Sequence, residues 1–287
     1  MRRLCRVIFL LWAVSLILAG CAPVAAPSPA AAQPGAAADT EAITLHVFAA
    51  ASLTEAFGQI GQDFAALHPG TKVVFNFAGS NQLATQIGAG APGDVFASAN
   101  HTQMNVAIET GRVISGTQRT FVRNRLVVIT PADNPAGLTA LEDLAAPGTK
   151  IVFAAKEVPV GQYTLDFLDK AEAGGSLGAG YKDAVIANVV SYEENVRAVL
   201  AKITLGEADA GIVYTSDAGA AADKVMQIEI PDPLNTVASY PIAVLGDSPY
   251  PERAQQFVDY VLAPQGQQVL AAYGFIPTTE EAAGGAP

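Results

Sequence analysis

Cysteine is almost absent from this 287-residue chain, which contains only Cys5 and Cys21. Two thiols are too few for the disulfide framework of a small secreted scaffold, and too few for a zinc or iron–sulfur centre held by four cysteines. The three histidines, His46, His68 and His101, lack the close spacing of metal ligands. The sequence therefore argues against a protein-bound zinc site.

Basic residues are also scarce: 16 Lys and Arg stand against 27 Asp and Glu. Three of the arginines precede Cys21, so the chain from Cys21 onward carries 13 basic residues against the same 27 acidic ones. A surface this acidic excludes sequence-independent binding to nucleic acid, because such binding requires a basic stripe. Hydrophobic residues make up 51% of the chain, which excludes disorder over the whole length and allows one large domain or two lobes.

The first 21 residues combine the features of an exported protein. Three arginines precede an apolar run, residues 7–19, that is too short to span a bilayer. The run ends in Leu18-Ala19-Gly20-Cys21, which resembles the lipobox of bacterial lipoproteins. The resemblance implies a signal peptide over 1–20 and acylation of Cys21, and the lipid would anchor the protein to the extracytoplasmic face of the cell membrane. An ordinary secretory signal is the alternative.

The remaining chain divides into a tether, a body and a tail. Residues 21–42 are rich in Ala and Pro without apolar periodicity, which predicts a semi-rigid tether, and residues 278–287 are predicted to form a flexible tail. In the body, short β-like runs alternate with helical patterns, which is typical of α/β folds with largely parallel sheets. The predicted strands span residues 43–50, 72–77, 94–97, 125–130, 150–154, 185–190, 211–214 and 240–245. Extended stretches near 121–125 and 236–240 are predicted to cross between two lobes.

Four segments share one pattern: a strand, a turn of small or polar residues, and a helix start. They lie around Ser52, Ser80, Val160 and Val196. Ser52 and Ser191 each begin an S-x-x-E pattern, which predicts that each serine caps a helix. The unpaired N–H groups of a helix N-terminus bind anions without any basic side chain, and such termini gather at one edge of a parallel sheet.

Two enzyme-like patterns carry less weight. Residues 88–93 match G-x-G-x-x-G but follow a helix and precede a strand, which is the reverse of the dinucleotide-binding context. A serine hydrolase built on Ser52 or Ser80 remains a remote alternative, since neither serine lies in a G-x-S-x-G elbow or near a histidine in the sequence.

Eight stretches, in order along the chain, are similar to the periplasmic molybdate-binding proteins of bacterial ABC importers. They are VFAAASLTEAF (47–57), FAGSNQLATQI (77–87), GAPGDVFASA (90–99), VPVGQY (158–163), ENVRAVL (194–200), GIVYTSDA (211–218), YPIAVL (240–245) and YGFIP (273–277). The resemblance implies a two-lobed type II periplasmic-binding fold. Each lobe would be a mainly parallel sheet flanked by helices, with two crossing strands between them, and lobe 1 would span 43–122 plus 241–277 and lobe 2 would span 123–240.

The resemblance also implies the residues that bind the oxyanion. Ser52 and Ser80 would donate from hydroxyl and backbone N–H, Val160 and Val196 from backbone N–H, and Tyr214 from its phenol. Molybdate or tungstate would be held through its oxygens without a protein ligand to the metal and without a cofactor. The resemblance leaves a contact from Asn81 open, and we interpret Asp94 as structural.

The residue chemistry agrees with such a ligand. Molybdate and tungstate are fully deprotonated dianions at neutral pH and only accept hydrogen bonds, and the five positions supply only donors. Sulfate or another small anion in the same fold is the alternative, whereas an organic acid usually requires an Arg clamp that the turns lack. We expect a monomeric binding protein, not an enzyme, that delivers the ion to an ABC permease and its ATPase.

Overall fold

Two β-sheets and nine α-helices make up residues 42–278, the part of the chain that this computed structural model describes. The predicted signal peptide, the predicted lipidation site Cys21, and nearly all of the predicted tether and tail lie outside the described residues. Within the described part, no helix is both long enough and apolar enough to cross a membrane.

The first sheet has six strands, in the spatial order β11-β4-β10-β3-β1-β2. These strands are β1 (Ile43–Ala50), β2 (Thr71–Ala78), β3 (Val95–Ala97), β4 (Arg119–Asn124), β10 (Ala238–Val244) and β11 (Ile276–Pro277). The second sheet has five strands, in the order β7-β6-β8-β5-β9. They are β5 (Leu126–Pro131), β6 (Ile151–Ala154), β7 (Val189–Glu193), β8 (Ala210–Tyr214) and β9 (Val225–Glu229). We call each sheet with its packed helices a lobe, numbered in the same order.

This α/β architecture with two sheets confirms the predicted fold, but both sheets are mixed instead of mainly parallel. β1 pairs in parallel with β2 and β3, and β6 pairs in parallel with β7 and β8. The strands next to the crossings, β4, β10, β5 and β9, form the antiparallel pairs. Parallel neighbouring strands need a crossover connection between them, usually a helix. At the crossings the chain passes directly from one sheet into the other without such a connection, so these strands run antiparallel to their neighbours.

The chain crosses between the lobes twice. Asn124 ends β4 and Leu126 begins β5, so a single residue forms the first crossing, and the second runs from the end of β9 to the start of β10. The predicted lobe boundaries at 122/123 and 240/241 fall inside β4 and β10. Both strands keep pairing in the first sheet beyond those boundaries, and residues 123–124 pair with 238–239.

The helices cover the sheets with apolar faces at helical spacing. They are α1 (Thr54–Leu67), α2 (Ser80–Gly88), α3 (His101–Glu109), α4 (Pro159–Gly174), α5 (Tyr181–Ala187), α6 (Val196–Thr204), α7 (Thr215–Ala220), α8 (Pro251–Leu262) and α9 (Pro264–Ala272). Helix α1, for example, buries Phe57, Ile60 and Phe64, and Phe57 and Phe64 both make edge-on ring contacts with Phe257 of α8. This spacing places one stripe of the helix in the core.

The strand predicted over 185–190 is wrong in its first half. Residues Tyr181–Ala187 form helix α5, and the strand begins only at Val189. Tyr181 and Val185 are four residues apart and both are buried, which is the helical period. The short apolar run that suggested a strand fits the strand period and the helix period equally well. The burial of Tyr181 and Val185 within the second lobe selects the helix.

Candidate functional site

A small cavity of about 210 Å³, including its open mouth, lies where helix starts from both lobes meet. It is lined by Ala50, Ala51, Ser52, Ala78, Gly79, Ser80, Ala99, Val158, Pro159, Val160, Asn195, Val196 and Tyr214. All five residues that the sequence predicts as contacts are in this lining, and their ligand-binding role stays a prediction. The enclosed part of the cavity is far smaller than the sites of drug-sized molecules, so its size suits a small ion.

Ser52 reaches the cavity from a tight turn and not as the predicted helix cap. Residues Ala51–Leu53 form one 3₁₀ turn that continues into α1, and the cap position before it is Ala50. The Ser52 side chain makes no capping bond; its Oγ lies 3.0 Å from the Tyr240 hydroxyl. The first N–H groups of this turn have no carbonyl partner one turn earlier and are available to an anion.

Ser80 opens α2 and is held from behind by the backbone. The Ala99 N–H donates to Ser80 Oγ at 3.0 Å, and Ser80 is only 1% exposed. Because this bond fills an acceptor position of the oxygen, the Ser80 hydroxyl proton is free to point into the cavity. Next to it, the Asn81 Oδ1 atom is buried without a hydrogen-bond partner.

Val160 contributes the start of α4 from the second lobe. Pro159 occupies the first helical position, where a missing N–H costs nothing, so the free amides of the first turn begin at Val160. Gly161 explains how the helix reaches this place: a Cβ there would come within 2.1 Å of the Ala155 carbonyl oxygen. Glycine therefore allows the helix to pack directly against the end of β6.

Val196 contributes the start of α6, and its cap is Asn195. The Asn195 side chain accepts a hydrogen bond from the Ala198 N–H at 3.0 Å. The cap predicted at Ser191 is wrong, because Ser191 lies inside β7 and its hydroxyl donates to Glu193. The strand continues to Glu193, three residues beyond its predicted end at 190, and the cap moves four residues along the chain, from Ser191 to Asn195.

Tyr214 closes the cavity from the end of β8. Its side chain is 1% exposed, and its hydroxyl makes no well-formed hydrogen bond among the described residues, although the Tyr240 hydroxyl lies nearby. Burial raises the pKa of the Tyr214 phenol well above its ordinary value, so the group stays protonated and is a donor. A buried hydroxyl without a partner is costly, and a bound acceptor at this place would remove the cost.

A charge cluster lies behind α6 and joins the lobes. The Arg197 Nε atom lies 2.9 Å from Oδ1 of the fully buried Asp217, and the Arg197 guanidinium also pairs with Glu55 of α1 in the first lobe. Burial raises the pKa of Asp217 to about 7, although the charge of Arg197 acts in the opposite direction. The cluster therefore connects the start of α6 to α1 of the first lobe and to α7 of the second lobe.

Hydrogen bonds between polar groups also join the lobes near the cavity. Gln82 Nε2 donates to Glu194 at 3.0 Å, and Gln103 Nε2 donates to the Glu157 carbonyl at 3.2 Å. In both pairs the glutamine belongs to the first lobe and its partner to the second. The described residues therefore adopt a closed arrangement around the cavity.

No ionisable side chain other than Tyr214 is among the described residues that line the cavity. His46 lies on β1, and His101 contacts Thr120, so neither stands beside Ser52 as a general base would. Across residues 42–278, no three His, Cys, Asp or Glu side chains gather in a way that could hold a metal ion. Asp94 accepts hydrogen bonds from the His46 N–H and from Ser248, which is a structural role.

Sequence reasoning missed two polar neighbours of this site, Tyr240 and Asn195. Asn195 stands directly before Val196 and is a strong cap residue, so the residue type alone was a usable signal. Tyr240 lies 188 residues from Ser52 in the chain and follows no motif of its own. Only the pairing of β10 in the first sheet brings it behind Ser52.

Comparison with known proteins agrees with this geometry. The chain is 38% identical to the molybdate-binding protein ModA of Mycobacterium tuberculosis H37Rv over 261 residues, which cover 91% of this chain and 94% of that protein. It is also similar to the solved substrate-binding domain of a putative molybdenum ABC transporter from Clostridium difficile, with a TM-score of 0.62, 30% identity, and coverage of 82% of this chain and 99% of that one.

A second solved structure shares the fold alone. The sulfate-binding protein SubI of Mycobacterium tuberculosis H37Rv superposes with a TM-score of 0.75 at 19% identity, covering 84% of this chain and 89% of that chain. The family model described as bacterial extracellular solute-binding protein matches residues 45–276, which span both sheets and all the residues of the cavity. The chain therefore belongs to the family of bacterial extracellular solute-binding proteins.

Proposed function

We propose that this protein is the solute-binding component of an ABC importer and captures molybdate, or the similarly shaped tungstate, in the cavity between its lobes. One observation carries the proposal: the five predicted donor positions, Ser52, Ser80, Val160, Val196 and Tyr214, all line one small cavity that contains no carboxylate. The 38% identical relative named as a molybdate-binding protein supports the same ligand.

The donor set matches the chemistry of the ion. A molybdate dianion has four oxygens that accept hydrogen bonds and no proton to give, so a site of donors satisfies it fully. Hydrogen bonds to a charged partner contribute about 1.5–3 kcal/mol each. Some five to seven such bonds are enough for dissociation constants of roughly nanomolar to micromolar after the cost of ordering the lobes.

Attraction in this site is local. The chain carries 27 acidic and 16 basic residues, so its overall field repels an anion. The positive ends of the helix dipoles act only over about the first turn, which places the binding free energy inside the closed cavity. Because the ligand contacts come from both lobes, ligand binding stabilises the closed arrangement.

The sequence and the relatives also support a proposal for the partners and the location of the protein. The protein works as a monomer without a catalytic activity and without a cofactor, and it delivers the ion to a membrane permease driven by an ATPase. Acylation of Cys21 holds it at the extracytoplasmic membrane face. Replacing Cys21 by serine should move the protein from the membrane fraction to the soluble fraction of cells, and retention in the membrane fraction would contradict the anchor.

Sulfate is the second candidate, because it is also a fully deprotonated tetrahedral dianion and the sulfate-binding protein SubI has the same fold. Isothermal titration calorimetry with molybdate, tungstate, sulfate and inorganic phosphate separates these ligands. We expect molybdate and tungstate to bind at least tenfold more tightly than sulfate, and phosphate to bind least. Tighter binding of sulfate than of molybdate would assign the protein to sulfate instead.

A further inference from the structure

Tyr240 stands directly behind one of the two cavity serines but does not itself line the cavity. Its hydroxyl lies 3.0 Å from Ser52 Oγ, and its side chain is completely buried. The ring is fixed by edge-on contacts with Tyr214, Phe121 and Phe275. These contacts fix the position of the Tyr240 hydroxyl relative to Ser52 Oγ.

The hydrogen bond between these two hydroxyls has a preferred direction. A phenol is a stronger acid than an aliphatic alcohol, so Tyr240 is the better donor and Ser52 Oγ the better acceptor. The Asn124 side chain also lies near the Tyr240 hydroxyl. Its Oδ1 already accepts from Thr215 Oγ1 at 2.9 Å and from the Arg125 N–H at 3.0 Å, and its Nδ2 donates to Ser216 Oγ at 2.8 Å, so the second Nδ2 hydrogen is the one that faces Tyr240. The Tyr214 hydroxyl also lies near the Tyr240 hydroxyl. Because both neighbours can donate to the Tyr240 oxygen, the Tyr240 proton is left for Ser52.

Ser80 is arranged in the same way from the opposite side of the cavity. The Ala99 N–H donates to Ser80 Oγ at 3.0 Å, just as the Tyr240 hydroxyl faces Ser52 Oγ. In each serine, a donor from the protein interior occupies the oxygen from behind. The hydroxyl proton of each serine is consequently left to point toward the ligand.

We propose that Tyr240 is a specificity-determining positioning residue: its hydroxyl fills one acceptor position of Ser52 Oγ and turns the Ser52 proton toward the ligand, which disfavours protonated tetrahedral anions in the cavity. This inference rests on the proposed function and extends it to ligand selection. Inorganic phosphate carries at least one proton near neutral pH and needs an acceptor for it. A serine that is free to rotate can turn a lone pair to such a proton, whereas one that is held by Tyr240 turns its own proton toward the ligand.

The variant Tyr240→Phe keeps the ring and removes the hydroxyl. With Ser52 released, molybdate affinity should fall about three- to thirtyfold, and the ratio of molybdate to phosphate affinity should fall at least tenfold. Tyr181→Phe is the matched control, because that buried phenol donates to the Leu141 carbonyl at 2.7 Å in the second lobe, away from the cavity. The control should keep the wild-type ratio.

Calorimetry on Tyr240→Phe, Ser52→Ala and the double variant, with molybdate and inorganic phosphate as ligands, tests the route of action. If Tyr240 acts through Ser52, Tyr240→Phe changes the ratio in the wild type and produces no further change in the Ser52→Ala background. An unchanged ratio in Tyr240→Phe, or an equal loss in both backgrounds, overturns the inference while the proposed function stands. A wild type that binds no molybdate overturns both.

A measurement on the unaltered protein covers the case in which Tyr240→Phe does not fold. The donated Tyr240 proton should give a slowly exchanging hydroxyl resonance in NMR spectra of the ligand-free protein, with a nuclear Overhauser contact to the Ser52 β-protons. A Tyr240 hydroxyl proton without that contact, or a Ser52 hydroxyl proton with a contact to the Tyr240 ring, overturns the assigned direction.

Discussion

Gly79 of the first lobe faces the backbone carbonyl of Glu194 in the second lobe so closely that a Cβ on the glycine would come within 2.5 Å of that oxygen. Gly79 precedes α2, and Glu194 lies just before α6. The two helix starts that supply Ser80 and Val196 thus approach each other where one side-chain atom would keep them apart.

Replacing Gly79 by alanine should therefore prevent full closure. The added methyl group meets a backbone oxygen, which cannot rotate away as a side chain does. We expect molybdate affinity to fall tenfold or more, which corresponds to about 1.4 kcal/mol, with little change in the melting temperature of the ligand-free protein. Small-angle X-ray scattering should show that the ligand-induced compaction of the wild type is reduced in the variant.

Gly58→Ala is the control for that substitution. Gly58 lies within α1, and a Cβ at this position would meet nothing within 4 Å. Alanine in a helix interior stabilises by about 0.5–1 kcal/mol relative to glycine, so this variant should melt higher and bind as the wild type does. Equal loss of affinity in both variants would contradict the role assigned to Gly79.

Tyr214→Phe should separate binding from stability. The Tyr214 hydroxyl makes no well-formed hydrogen bond among the described residues, so its removal should cost the ligand-free protein little. A lost hydrogen bond to a charged ligand costs about 1.5–3 kcal/mol, which predicts roughly 10- to 150-fold weaker molybdate binding and an unchanged or slightly higher melting temperature. Calorimetry and thermal denaturation of the same preparation check both results.

Ser80→Ala should weaken both binding and stability. The serine oxygen accepts the hydrogen bond of the buried Ala99 N–H, and alanine leaves that N–H without an acceptor. An unpaired buried donor costs about 1–3 kcal/mol, so urea denaturation of the ligand-free variant should show a loss of this size. If Ser80→Ala unfolds at the same urea concentration as the wild type, the Ala99 bond contributes nothing to stability.

Asp217 should make stability depend on pH in an unusual direction. Burial raises the pKa of Asp217 from 3.8 to about 7, so the folded protein binds more protons than the unfolded chain between these values. The stabilisation from this protonated carboxyl is complete below the unfolded pKa and is lost as the pH rises through about 7. Because asparagine resembles the protonated form, Asp217→Asn should gain unfolding free energy relative to the wild type between pH 5 and pH 8.

Urea denaturation across that pH range measures the difference. Asp223→Asn, a change at an exposed position close to α7, is the control and should follow the wild type. A constant difference between Asp217→Asn and the wild type would mean that Arg197 keeps the buried carboxylate charged throughout.

Several elements of the site could be predicted from local sequence because their cause is local. Pro159 favours a helix start because its fixed φ and missing N–H suit the first helical position, and the small residues around Ser52 and Ser80 mark turns between a strand and a helix. The capping details were less predictable. Ser52 and Ser191 fit the S-x-x-E pattern, but neither caps a helix, because a 3₁₀ turn and the continuation of β7 displace the helix starts.

The sequence by itself determined the α/β alternation and the turns around Ser52, Ser80, Val160 and Val196, because hydrophobic period and turn residues are properties of neighbouring residues. The two lobes and the place of Tyr214 in the site were implied by the resemblance of ordered motifs to a known family. Only the tertiary structure decided the direction of the strands beside the crossings, the contact of Tyr240 with Ser52 and the approach of Gly79 to Glu194. These pairs join residues more than 80 positions apart, and their geometry depends on how the sheets pair and how the lobes close. No local pattern encodes a distance of that kind.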